Sequence, residues 1–195
     1  MWDERFAPDD YVYGTQPNAW LVAQAGRFAP GGRILSLGEG EGRNAVWLAE
    51  RGFFVDAVDA SRVGLSKAER LARSRAVRIR TIHADLADFT PAAGAYDGLV
   101  IIFVHLPPEV RAEAHRRAAL ALKPGGVVVV EAFTPKQLTL DSGGPRKPGL
   151  LYTAGMLRQD FPFIRWEKLE ELEIDLAEGT LLRGRAAVVR GVGVR

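Results

Sequence analysis

From residue 18 to residue 130, short β-branched runs alternate with longer helical patterns, an order that suits a parallel sheet wrapped by helices and few other folds. Parallel strands need crossover connections, and the intervals between these runs leave room for one helix each. The runs at 33–37, 53–58, 77–82, 96–104 and 127–130 read as five strands. Between them, Asn18 is placed to cap a helix that Pro30-Gly31-Gly32 stops, and helices are expected at 45–50, 61–73, 109–122 and 153–161. The run 96–104 lacks a polar face and is expected to be a central strand, halted by Pro107. After Thr134 the rhythm changes: 134–151 carries Ser142-Gly143-Gly144-Pro145 and reads as an excursion over the carboxyl edge of the sheet. Two antiparallel strands, 163–176 and 181–190, close the pattern around a turn at 177–180. The expected fold is α/β: a Rossmann-like, doubly wound, mostly parallel seven-stranded sheet with a C-terminal antiparallel hairpin and helices on both faces, in one domain over 1–195.

Composition narrows what such a domain can do. With 195 residues, 47% of them hydrophobic, the chain can bury a core without staples. It has no cysteine, which excludes disulfides, thiolate metal sites and a cysteine nucleophile. Its 26 basic residues are interleaved with 24 acidic ones, and the densest stretch, 67–80, alternates with apolar residues as a solvated helix face does, so nucleic acid is not an expected partner. The opening residues MWDERFAPDDYVYG lack the basic and apolar segments of a signal peptide, and no run is long enough to cross a membrane. A cytoplasmic protein, monomeric or homodimeric, is expected.

The strongest chemical signal is Gly38-x-Gly40-x-Gly42, directly after one strand and before one helix. Such a turn is either a plain tight connection or a place where backbone approaches a ligand closely. Asp59, ending the next strand, favours the ligand, because an acid there can accept hydrogen bonds from the hydroxyls of a ribose. A dinucleotide fingerprint can be laid on Gly40, Gly42 and Ala45, but it leaves Gly38 unexplained. Arg43-Asn44 stands where a triphosphate-binding loop needs Lys and Ser or Thr. Glu39 and Glu41 would repel a pyrophosphate yet tolerate a ligand carrying an ammonium and a sulfonium. At the end of the third strand, Asp85 and the backbone of Leu86 either meet an adenine or simply cap the next turn.

At these residues the chain resembles the class I S-adenosylmethionine-dependent methyltransferases, and among them the small tellurite-resistance-type enzymes. The resemblance rests on Leu37 through Asn44, Asp59, Asp85-Leu86, the run from Asp97 to Leu106, and Leu122-Lys123-Pro124-Gly125-Gly126. It implies that the glycine turn wraps the methionine part of S-adenosyl-L-methionine, Asp59 holds the ribose and Asp85-Leu86 meets adenine. The cofactor-binding set expected on this basis is Gly38, Glu39, Gly40, Gly42, Asn44, Asp59, Ala60, Asp85, Leu86 and Phe103. Ser36 departs from the acid common in the class at that position, and Glu39 or Glu41 is a candidate substitute.

Methyl transfer to a small-molecule acceptor is the activity the resemblance implies. A non-enzymatic adenosyl-binding module and a compact NAD-dependent oxidoreductase are the alternatives. His105, just beyond the fourth strand, is the candidate general base, with a loop hydrogen bond as its other reading. Tyr11, Tyr13, His105 and Glu131 form the expected substrate-binding set, although Glu131 could instead satisfy local backbone. Tyr11 to Gly14 and Trp20 either fold over the cofactor or, for Trp20, anchor the core. His83 reads as structural and His115, among Arg111, Arg116 and Arg117, as a surface residue. The three histidines lack metal-ligand spacing, so no metal is expected.

Overall fold

A computed structural model describes residues 2–195. The elements run α1 Trp2–Phe6, α2 Ala19–Gln24, β1 Arg33–Leu37, α3 Arg43–Glu50, β2 Phe54–Asp59, α4 Arg62–Ser74, β3 Arg80–His83, β4 Tyr96–Ile102, α5 Pro108–Ala121, β5 Leu122–Phe133, α6 Ala154–Asp160, β6 Arg165–Glu178 and β7 Leu182–Val194. The strands form one seven-stranded sheet in the order β3-β2-β1-β4-β5-β7-β6. β1 to β5 are parallel; β7 runs antiparallel to β5, and β6 antiparallel to β7. The seven-stranded architecture expected above is therefore observed.

Register brings the strand ends together. Leu37 of β1 pairs with Val58 of β2 and Ile101 of β4, and Asp59 pairs with His83 of β3. The segments that follow these strands thus emerge side by side, and the strand order reverses between β1 and β4, the crevice where open α/β sheets bind ligands. Successive residues of β4 feed opposite faces: Leu99 and Ile101 join a cluster with Tyr152 and Phe161, while Val100 and Ile102 join Trp20, Phe28 and Leu48. Each such side chain contributes about 1.5–3 kcal/mol on full burial.

Side-chain caps start the helices where the sequence places them. Asn18 Oδ1 accepts the Leu21 N–H at 3.0 Å, Ser61 Oγ that of Gly64 at 3.0 Å, and Thr153 Oγ1 that of Met156 at 3.1 Å.

Three features depart from expectation. β5 begins at Leu122 instead of Val127: Tyr96 faces Leu122 while Gly98 faces Val127, so the Lys-Pro-Gly-Gly segment bulges out of a strand that continues on both sides of it. Helix α1 was not legible from periodicity. His115 is not at the surface; it is 1% exposed, stacked on Phe161 at 4.8 Å, with Nδ1 2.9 Å from Asp160 Oδ2. Arg111, on the same helix, also reaches Asp160 at 2.7 Å, so α6 covers a face that the arginines had suggested was solvated. Trp20 is a core anchor whose Nε1 donates to the Gly191 carbonyl. No described helix is long and apolar enough to cross a membrane.

Candidate functional site

The glycine turn is held in left-handed backbone, with φ of +59° at Gly38, +61° at Gly40 and +92° at Gly42. Gly42 is also required by packing, since a Cβ there would lie 2.6 Å from the Ala68 Cβ of α4. The Glu39 N–H donates to the Val58 carbonyl and the Gly40 N–H to Asp59 Oδ2 at 2.8 Å, which ties the turn to β2.

Glu39 turns inward. Its Oε1 accepts the N–H groups of Asn44 and Ala45 at 3.0 and 2.9 Å, capping α3, and its other oxygen takes the Ser36 hydroxyl. A carboxylate therefore stands beside position 36 even though the residue there is Ser. Burial raises its pKa, against the hydrogen bonds that lower it. This carboxylate fills the helix N-terminus at which a dinucleotide would set its pyrophosphate. Asn44 Oδ1 accepts the Asn18 N–H at 2.9 Å, so that side chain ties α3 to the start of α2.

Asp59 accepts from Gly40 on one oxygen and from the Ser61 N–H, also at 2.8 Å, on the other; burial raises its pKa. Each oxygen keeps a second lone pair for a donor such as a ribose hydroxyl. The Ala60 carbonyl is 3.1 Å from His83 Nε2, in keeping with a structural role for His83. Asp85 does cap its turn, since Oδ1 accepts the Ala87 N–H at 2.9 Å and its carbonyl accepts from Asp88 and Phe89. Yet Asp85 Oδ2 and the Leu86 N–H have no partner among the described residues. One acceptor and one donor side by side match an adenine's exocyclic amine and ring nitrogen, so the residues present fit the adenosyl group.

An N-terminal strap covers this edge. Asp3 Oδ1 accepts the Ser61 hydroxyl at 2.5 Å, and the Phe6 ring, 3% exposed, lies against Gly40 and Gly64. Lys67 Nζ donates to the carbonyls of Pro8 at 2.8 Å and Asp10 at 2.7 Å and pairs with Glu41. Sequence reasoning missed Asp3, Phe6 and Lys67; the only available signal was a lysine on the apolar face of α4. Tyr11 corrects an expectation: its hydroxyl donates to the Lys67 carbonyl and its ring packs with Val46 and Leu71, so it serves the strap instead of an acceptor. Tyr13 sits differently. Its hydroxyl accepts from Arg5 at 3.0 Å, and it packs with the cluster of Phe133, Leu151 and Leu182.

Beyond β4, Phe103 holds a φ of +54°, a left-handed conformation that costs a bulky residue about 1–3 kcal/mol. Its ring stacks on Phe133 at 4.6 Å. His105, the expected general base, has both ring nitrogens engaged within the fold: Nδ1–H donates to the Leu150 carbonyl at 2.6 Å, and Nε2 accepts the Phe133 N–H at 3.3 Å. Burial pushes its pKa down to about 4, so the ring is neutral with both nitrogens engaged. Glu131 does not face an open acceptor region. It is 0% exposed, accepting from Arg190 Nε at 2.6 Å and Asn18 Nδ2 at 2.5 Å, and burial raises its pKa. Asn18 also donates to Glu178, which pairs with Arg43 at 2.7 Å, so these groups form a buried brace between α3, β5 and the hairpin.

Residues 34–126 match the family described as a methyltransferase domain. Over 133 residues the chain is 29% identical to the 2-heptyl-1-hydroxyquinolin-4(1H)-one methyltransferase of Mycobacteroides abscessus, covering 67% of this chain and 58% of that relative, less than two thirds of its length. The fold is similar to that of a structure reported for the conversion of a disulfide bond into a thioacetal group during echinomycin biosynthesis, with a TM-score of 0.76 at 21% identity over 99% of this chain and 87% of that one. TehB from Haemophilus influenzae superposes with a TM-score of 0.73 at 17% identity, over 100% of this chain and 65% of its own. The chain thus carries a methyltransferase-domain match over residues 34–126 and shares its fold with S-adenosylmethionine-dependent methyltransferases of known structure. Its fold resembles that of TehB.

Proposed function

We propose that this chain transfers the methyl group of S-adenosyl-L-methionine to a small-molecule acceptor and releases S-adenosylhomocysteine. The observation that carries the reading is the line of three strand ends: the glycine turn clamped by Asp59, and beside it the unpartnered Asp85 Oδ2 and Leu86 N–H. The bound cofactor supplies an electrophilic methyl on a sulfonium. The chain's part is to orient it, with Asp59 on the ribose, Asp85 and Leu86 on the adenine and the turn around the methionine end, and to exclude water beneath the strap. With His105 and Glu131 both committed to internal hydrogen bonds, proximity and orientation carry the catalysis. The Glu39 cap of α3 speaks against the oxidoreductase alternative, because a dinucleotide would have to displace a buried carboxylate. A cytoplasmic setting, as monomer or homodimer, completes the proposal.

Labelled S-adenosylmethionine, incubated with the protein and separately with total nucleic acid, a protein extract and a small-molecule panel, tests it. Acceptor-dependent S-adenosylhomocysteine with label in the small-molecule fraction is the expected result. Label confined to nucleic acid or protein overturns the acceptor class, and cofactor binding without turnover on any fraction favours the non-enzymatic module.

A further inference from the structure

Resting on that reading, we infer that the acceptor is a planar aromatic molecule that stacks on the Phe103 ring and brings its own ionised nucleophile. Three observations converge at the end of β4. Val104 packs against Gly38, which sets the 103–104 segment against the turn assigned to the methionine end of the cofactor. Phe103 is held there in a left-handed conformation foreign to its residue type, and a strained bulky residue beside a binding crevice is retained where the geometry serves a ligand. Its ring is only partly buried and already forms one layer of a stack with Phe133, on which His105 lies in turn at 5.7 Å. One more planar ring extends that stack; an oxyanion or an aliphatic thiol gains nothing from it.

The second half of the inference follows from the groups around this platform. His105 has a partner on each ring nitrogen, and Glu131 is sealed between Arg190 and Asn18. The Tyr152 hydroxyl accepts the Leu106 N–H, and the Tyr13 hydroxyl is held by Arg5. Each of these four side chains around the platform is already engaged, and none stands ready to take a proton from the acceptor. The nucleophile must therefore arrive deprotonated, having left its proton in solvent. Its lone pair forms the bond to the methyl carbon as the carbon–sulfur bond breaks, and the departing pair stays on sulfur. The negative charge of the acceptor and the positive charge of the sulfonium cancel, so no proton is transferred in the step. Acidic ring hydroxyls and N-hydroxy heteroaromatics meet both conditions, and the hydroxyquinolinone named for the Mycobacteroides relative is of that chemical kind.

The test pairs planar hydroxy and N-hydroxy heteroaromatics ionised at neutral pH with phenols of similar shape and ordinary pKa of about 10, and with aliphatic thiols, amines and tellurite. Turnover is followed as S-adenosylhomocysteine, and acceptor binding to the S-adenosylhomocysteine-loaded protein by calorimetry. Two variants are used: Phe103→Leu keeps bulk, and Phe103→Gly relieves the backbone so that loss of fold cannot mask the result. The ionised aromatics should be the best substrates. Both variants should raise the acceptor dissociation constant and KM by about 3- to 10-fold, the scale of one lost ring stack, and by more than any change in S-adenosylhomocysteine affinity. Preference for thiols, amines or tellurite, equal rates with the ordinary phenols, or acceptor binding indifferent to both substitutions overturns the inference while leaving methyl transfer intact. Absence of turnover with every acceptor defeats both.

Discussion

Asp59 accepts the Gly40 N–H at 2.8 Å, so the acid that ends β2 and the glycine turn that follows β1 are one rigid unit before any ligand arrives. Replacing Asp59 with Ala should weaken S-adenosylmethionine binding by about 1–3 kcal/mol. A reading of Asp59 as a ligand contact alone would leave the free protein unchanged. The structure requires otherwise, since the substitution strands the buried N–H groups of Gly40 and Ser61. Urea unfolding without cofactor should show a further loss of about 1–3 kcal/mol, and a dissociation constant that does not move would place the ribose elsewhere.

Glu39 replaces the missing N-cap side chain of α3, whose cap position is Gly42. Glu39→Ala should destabilise the protein by about 1–2 kcal/mol. Glu39→Gln, which keeps an acceptor for the Asn44 and Ala45 N–H groups, should lose less. Equal losses for the two variants, measured as unfolding midpoints at constant slope, would mean that charge and not the acceptor atom matters.

His105 offers two readouts. A general base would lose about 10²–10⁴ in rate on removal, whereas His105→Asn should cost less than about tenfold and leave the pH profile in place. Stability should respond to acid. The unfolded imidazole titrates near 6.5 and the folded one near 4, so between these values the unfolded chain takes up a proton that the native chain refuses. The contribution is full above about 6.5 and is lost as pH falls toward about 4. His115, also depressed by burial, acts in the same direction. The wild type should thus lose more stability across this window than His105→Asn, by about 1–3 kcal/mol, and parallel pH profiles would count against it.

Lys67 anchors the strap through the Pro8 and Asp10 carbonyls and neutralises Glu41. Lys67→Met should cost about 3–5 kcal/mol, because it leaves a buried carboxylate unpaired. The double variant Lys67→Met, Glu41→Gln should recover part of that loss, while residues 2–14 stay more open to limited proteolysis than in the wild type. Full protection of the strap in either variant would show that Phe6 and Asp3 hold it alone.

The parts of the site that lie next to a strand end were legible in the sequence. Gly38 to Gly42 follow β1, Asp59 ends β2 and Asp85 lies two residues past β3, and local chemistry accounts for them. The rest depends on partners that no local window contains. His115 meets Asp160 from 45 residues away, Lys67 gathers carbonyls 57 to 61 residues before it, and Glu131 meets Asn18 across 113. Helical periodicity reports which face of α5 is apolar, not that α6 will lie over its arginines. The hydrogen bonds of His105 and Glu131 come from the 134–151 excursion, β5, β7 and the start of α2, which no local window contains.

The sheet order has a consequence for synthesis. β7 occupies the slot between β5 and β6, pairing Val127 through Phe133 with Val194 through Val188. While the chain emerges from the ribosome, the parallel half can assemble early, yet the β5 flank has no neighbour until residues 182–194 are made. An uncovered apolar strand edge pairs readily with other chains. The hairpin tip also seats the strap, since the Thr180 N–H donates to the Val12 carbonyl. The edge beside β5 and the seat of the strap are therefore completed last, and a nascent chain stalled before residue 182 is an adhesive fragment.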